Sequence, residues 1–159
     1  MPFGDCPHLV LDIGGGSTEL ILADGRDARA LTSTRVGAVR LQRDFVRDDP
    51  MPPQRRTFLQ AFIQGSLEPA VNKVLRRITP EETPVMVATS GTAMAIGALA
   101  ASEEDRPPLK LHGYRVSKQR LDRVVDRLVL MTPEQRKGLA PINDRRAEII
   151  VPGLSLIHI

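Results

Sequence analysis

A short apolar run from Leu9 to Leu11 opens the patterned part of the chain and reads as a buried strand over about His8 to Ile13. Alternation resumes through Leu20, Ile21 and Leu22, giving a second strand over about Thr18 to Ala23. Asp24-Gly25 is a tight-turn signal, so a third strand, about Ala28 to Arg35, is expected to pair back antiparallel. Gln42 to Arg47 follows in a helical pattern, then the polar, proline-rich connector Asp48 to Pro53. From Gln54 to Ile78, apolar residues (Phe58, Leu59, Phe62, Ile63, Leu67, Val71, Val74, Leu75, Ile78) recur at helical spacing. Pro69 lies within that stretch and predicts a kink or break. Pro84 to Ala88 is apolar without alternation, the pattern of a central parallel strand.

The second half reads as mainly helical. Small residues from Ala93 to Ala101 mark a tightly packing helix, and Glu103 to Pro108 a charged loop. His112 to Val116 reads as a short extended piece. Ser117 is positioned to cap a helix whose core face is Leu121, Val124, Val125, Leu128 and Val129. Thr132-Pro133-Glu134-Gln135 combines a capping box with proline at the first helical position, and Gly138 ends that short helix. The tract Asn143 to Val151 begins another helix, with Asn143 or Asp144 as cap.

Length and composition narrow the field. A chain of 159 residues has room for one domain with a core, and 42% hydrophobic with 26% charged residues is ordinary for a globular protein. Aromatics are 3% and Trp is absent, so stacking platforms for bases are lacking and no DNA partner is expected. The net charge of +3, carried largely by arginine, suits a polyanionic substrate. A single cysteine, Cys6, excludes an intramolecular disulfide and a zinc cluster, and a reducing, cytoplasmic location is expected. No run approaches the ~18 apolar residues of a membrane span, and Met1 to His8 is no signal peptide.

The candidate chemistry centres on Asp12-Ile13-Gly14-Gly15-Gly16-Ser17-Thr18-Glu19. The first strand delivers Asp12 to its end, and three glycines follow in a hairpin. Without Cβ atoms, Gly14, Gly15 and Gly16 can adopt positive φ and bring backbone N–H groups close to an anion, with Ser17 and Thr18 adding hydroxyls. Asp12 and Glu19 flank the loop with hard carboxylate oxygens of the kind Mg²⁺ takes. Such a loop between two strands differs from the strand-to-helix turn of a P-loop. A second candidate is Ser90-Gly91-Thr92, between a strand and a helix, where free N–H groups favour an anion. Gly37 is expected to permit a turn. Arg40 reads equally as a phosphate contact or a surface ion pair, and His112 has no partner at ligand spacing.

The glycine loop resembles the second phosphate loop of the exopolyphosphatase / guanosine pentaphosphate phosphatase family, within the actin, Hsp70 and sugar-kinase superfamily. Ser17-Thr18-Glu19 sets it apart from actin- and Hsp70-like loops. Val36 to Leu41 and Arg145-Arg146-Ala147-Glu148-Ile149-Ile150-Val151-Pro152-Gly153 resemble further segments of the same family. The resemblance implies an α/β, RNase H-like (actin-like ATPase) domain, a mixed sheet flanked by helices and truncated at both ends. Residues 1–7 would be an interdomain remnant, 8–153 the second RNase H-like domain, and 154–159 a non-native tail.

It also implies a reaction: Mg²⁺-dependent hydrolysis of terminal phosphoanhydrides in inorganic polyphosphate or guanosine pentaphosphate. In that scheme Asp12 and Glu19 bind the metal or orient water, with Glu19 the catalytic candidate. Gly14, Gly15, Gly16, Ser17 and Thr18 hold the reacting phosphate, and Ser90, Gly91 and Thr92 contact a second phosphate or a nucleotide. The family's first phosphate loop and its usual catalytic glutamate lie upstream, so this chain is expected to be a half-site with little activity alone. A homodimer is left open. Two rivals stand beside this reading: a sugar- or acetate-type kinase of the same superfamily, and a non-catalytic nucleotide-binding module of the actin or cell-division type.

Overall fold

A computed structural model describes residues 6–25, 27–105 and 107–157. In chain order the elements are β1 (His8–Ile13), β2 (Thr18–Ala23), β3 (Ala28–Thr34), α1 (Ala38–Phe45), α2 (Pro53–Leu75), β4 (Val85–Thr89), α3 (Ser90–Ser102), α4 (Lys118–Leu130), α5 (Pro133–Lys137) and α6 (Asp144–Ile157). The sheet order is β3-β2-β1-β4, with β1–β2 and β2–β3 antiparallel and β4 parallel to β1. The fold is α/β, a mixed sheet flanked by helices, as the resemblance implied.

Alternation explains which face is buried. Leu11, Ile13, Leu20, Leu22 and Ala30 fall at every second position of their strands and form one apolar face. Leu41 of α1 and Leu59, Ile63, Leu67, Ala70 and Val74 of α2, spaced three or four residues apart, cover that face. Phe58 and Phe62 lie at the margin of this stripe and meet the Phe45 ring at a tilt, the Phe45–Phe62 centroids being 4.6 Å apart. A second core joins Ile96 and Leu99 of α3 to Val124 and Leu128 of α4 and Ile150 and Leu154 of α6. Ile157 packs against both.

Arg136 ties the helical half to the sheet half. Its side chain is fully buried, which is tolerable because every direction of the guanidinium is answered. It donates to the carbonyls of Leu128, Met131 and Ala147 and to both carboxylate oxygens of Asp49 in the α1–α2 connector.

Several expectations change. The first helix starts at Ala38 rather than Gln42, because Gly37 already serves as its N-cap. Helix α2 runs unbroken through Pro69: that residue is exposed, while Leu67, Ala70 and Val74 on either side are held against the sheet. Strand β4 is not central. Among the described residues it pairs only with β1, and four of its five residues are exposed. Residues 112–116 form no strand; Gly113, at φ 75°, turns the chain there. Ser117 caps α4, and both bonds of the Thr132–Gln135 capping box form. Helix α6 runs unbroken through Pro152 to Ile157, with Leu154, Ser155 and Leu156 buried.

Candidate functional site

The strand register assembles the site. Asp12 pairs with Glu19 across β1–β2 and with Thr89 across β1–β4, and Glu19 pairs with Ser33 across β2–β3. Cross-strand partners share a face, so Ser33, Glu19, Asp12 and Thr89 form a polar row at one end of the sheet, on the face opposite the α2 core. Glu19 Oε1 accepts a hydrogen bond from Ser33 Oγ at 2.7 Å, which fixes one carboxylate oxygen and leaves the other. Both carboxylates are half-buried. Among the described residues no third His, Cys, Asp or Glu joins them in a metal-binding cluster.

The glycine loop joins the β1 and β2 ends next to this row in a short turn, with Gly14 N–H donating to the Ser17 carbonyl at 2.9 Å. The Gly14 carbonyl accepts from Ala38 N–H, and the Gly15 carbonyl from the N–H groups of Val39 and Arg40. Loop carbonyls therefore face the start of α1. The amides of Gly15, Gly16 and Ser17 have no intramolecular acceptor among the described residues, and Gly15 and Gly16 are exposed. Three donors without an intramolecular acceptor at a tight turn are an arrangement suited to an anion.

The reason for glycine differs from the expected one. None of the three loop glycines has a positive φ. Close approach explains two of them: a Cβ on Gly14 would lie 3.1 Å from the Ser17 carbonyl oxygen, and one on Gly15 would lie 3.2 Å from Val39 Cγ2. At Gly16 nothing lies within 4 Å, so a side chain there would project into the open space before the loop. Gly37 does not make a left-handed turn either; its φ is −134°. Its added Cβ would sit 2.6 Å from the Gly15 carbonyl group and from the Gly16 carbonyl carbon. Residue 37 is the floor on which the loop rests.

Thr18 is buried, and its hydroxyl donates to the Val36 carbonyl at 2.6 Å. That donor braces the loop against the residue before Gly37 and is not offered to a ligand. Arg40 resolves as an i,i+4 contact with Asp44, whose carboxyl is held below its usual range by Arg43 first and then by Arg40. His112 is exposed.

Ser90, Gly91 and Thr92 begin α3 beside Asp12, at the same end of the sheet as the loop. Helix α3 has no side-chain cap, so its first N–H groups remain available. Ser90 has φ 94°, the only non-glycine positive φ among the described residues, and its buried Oγ lacks a hydrogen-bond partner. Thr92 is buried against Gly153 of α6. Gly91 admits a neighbour that sequence reasoning missed: a Cβ there would meet Arg146 Nη2 at 3.0 Å. No local sequence signal points to this contact, because only the docking of α6 brings Arg146 across to the start of α3.

A model of the Ppx/GppA phosphatase family matches residues 1–158. The chain belongs to this family. Exopolyphosphatase 2 of Mycobacterium tuberculosis (strain ATCC 25618 / H37Rv) is 34% identical over 152 residues, covering 96% of this chain and 46% of that protein. The guanosine-5'-triphosphate,3'-diphosphate pyrophosphatase of Vibrio parahaemolyticus is 38% identical over 93 residues, covering 58% and 18%. Among solved structures, an exopolyphosphatase from Cytophaga hutchinsonii superposes with a TM-score of 0.85 at 25% identity, covering 99% of this chain and 50% of that one. The Ppx/GppA family member from Aquifex aeolicus gives 0.80 at 25%, covering 96% and 47%. This Ppx/GppA chain thus spans about half the length of the exopolyphosphatase relatives it matches. Among its described residues no helix is long and apolar enough to cross a membrane.

Proposed function

We propose that the parent protein hydrolyses terminal phosphoanhydride bonds of inorganic polyphosphate or guanosine pentaphosphate, and that this chain supplies one phosphate-binding half of the site. The observation that carries this reading is the loop itself: three amides at Gly15, Gly16 and Ser17 without an acceptor among the described residues, in the hairpin that follows the Asp12–Glu19 pair. Family membership and the names of the relatives support the same substrate class.

The loop amides clamp the terminal phosphate, and the open space at Gly16 lets its oxygens approach the backbone. Ser90, Gly91 and the Arg146 guanidinium face a second anionic group. Asp12 and Glu19 are the residues that would hold Mg²⁺, their carboxylates being the hard oxygens that ion takes. When bound, the ion neutralises charge on the phosphate oxygens. Glu19, oriented by Ser33, positions the attacking water. Attack forms one P–O bond and breaks the bridging one; the shortened chain departs with the electron pair, and the water's proton passes to a carboxylate. The family resemblance assigns that base to a residue upstream of Leu9.

The test is Mg²⁺-dependent phosphate release from polyphosphate and from guanosine pentaphosphate. It compares this chain with a polypeptide from the same locus extended to the relatives' full length. Release by the longer polypeptide alone is expected, and Glu19→Gln there lowers the rate about 100-fold with the fold intact. An unchanged rate removes Glu19 from the reaction. Phosphate transfer to an added acceptor would indicate a kinase, and nucleotide-dependent assembly without turnover a binding module.

A further inference from the structure

We propose that the cationic end of α2 and the adjoining edge of β3 form a docking rail for the distal part of a linear polyphosphate chain, an inference that rests on the substrate class proposed above. Strand β3 is an edge strand whose Thr34 end adjoins the loop, because Thr34 pairs with Thr18. From Thr34 the edge runs back about 17 Å to Arg29, at about 3.3 Å per residue. The last turns of α2 are fastened along it. Lys73 Nζ donates to the Leu31 carbonyl at 3.1 Å, and the Arg29 guanidinium donates to the Arg77 carbonyl. Arg35, exposed, stands at the loop end of the same edge.

Beside this edge, Glu68, Pro69, Asn72, Lys73, Arg76 and Arg77 line a depression of about 550 Å³. Lys73, Arg76 and Arg77 are all exposed, and none has a carboxylate partner among the described residues. The nearby Glu82 is already held by Arg29, whose hydrogen bond keeps that carboxyl below its usual range. Glu68 alone opposes three cations in the lining, so the depression is net positive. No aromatic side chain lines it, which suits a chain of phosphates without bases. A polymer whose terminal phosphate occupies the loop then meets a second cationic contact further along the β3 edge, where the end of α2 is fastened to it. Tethering of this kind raises the effective concentration of the chain end at the loop.

The experiment titrates this chain with end-labelled polyphosphate of several hundred units and with tripolyphosphate, following fluorescence anisotropy and competition. The long polymer is expected to bind at least tenfold more tightly. Arg76→Glu with Arg77→Glu abolishes that preference, lowers the salt dependence of long-chain binding and leaves tripolyphosphate within twofold. Arg123→Glu with Lys137→Glu makes the same charge change elsewhere and preserves the preference; circular dichroism checks that each variant is folded. A preference that survives the α2 changes, or falls equally with the control pair, overturns the rail and leaves a solvated helix end. Single-stranded DNA bound as tightly, and lost in the same α2 variant, overturns it in favour of nucleic acid. Tripolyphosphate binding without a long-chain preference overturns the rail alone. Failure to bind either phosphate overturns the loop reading as well.

Discussion

Gly37 shows how little of a residue's role resides in its own conformation. Its backbone angles suit any amino acid, yet the loop backbone lies where a β-carbon would be. Gly37→Ala should therefore destabilise the protein by about 1–3 kcal/mol, the usual range for forced overpacking. It should also weaken anion binding, because the loop must lift off its floor. Urea unfolding and calorimetric titration with tripolyphosphate would measure the two effects. The motif Gly14-Gly15-Gly16-Ser17-Thr18 was legible as a hairpin loop between two strands, but the division of labour inside it was not. Thr18 and Ser17 look equivalent as letters; only the strand register turns Thr18 into the core and leaves Ser17 at the mouth. Arg146 was beyond sequence reasoning for a related reason, since its contact with Gly91 depends on how two distant helices pack.

Individual elements were easier to read where local chemistry decides them. The Thr132–Gln135 capping box and the Ser117 cap form as expected, because both depend only on residues three apart. Pro69 and β4 were misread because tertiary context prevails there. A proline on the solvent side of a helix held by its buried face need not end it, and Val85-Met86-Val87-Ala88 suits an edge as well as a centre. Arg136 links elements that sequence treats as separate. Replacing it with Leu leaves the Asp49 carboxylate, 14% exposed, without its guanidinium, and should cost about 3–5 kcal/mol. Lys118→Leu, breaking the exposed pair with Asp122, should cost no more than about 0.5 kcal/mol. Chemical denaturation of both variants would show the contrast.

Acid should act on the Glu104–Tyr114–Arg120 cluster that closes the α3–α4 connection. The Tyr114 hydroxyl and then the Arg120 guanidinium hydrogen-bond Glu104 and hold its carboxyl below its ordinary value of 4.5. A carboxyl depressed in the folded state stabilises above its unfolded pKa, and that contribution is lost as pH falls through the folded value. Stability should decline between about pH 5 and about pH 3, less steeply in Glu104→Gln. Urea midpoints across that range test the sign.

At the scale of the whole molecule, the fold works by bringing two strand ends and two helix starts to one margin of the sheet. The parallel β1–β4 register sets Asp12 beside Thr89, so the glycine loop and the start of α3 are neighbours despite some seventy intervening residues. The meander of β1, β2 and β3 was legible from alternation, and its pairing gives the Asp12–Glu19 juxtaposition directly. The placement of α6 was not legible, although it carries Arg146 into the site and Leu154 into the second core. The central claim is that the unpaired amides of the glycine loop bind the phosphate. Its most direct test is a two-dimensional NMR titration of this chain with tripolyphosphate and Mg²⁺, following every backbone amide. Saturable shifts at Gly15, Gly16 and Ser17, accompanied by Gly91, are the predicted result. Saturation elsewhere, with those loop amides unmoved, would contradict it.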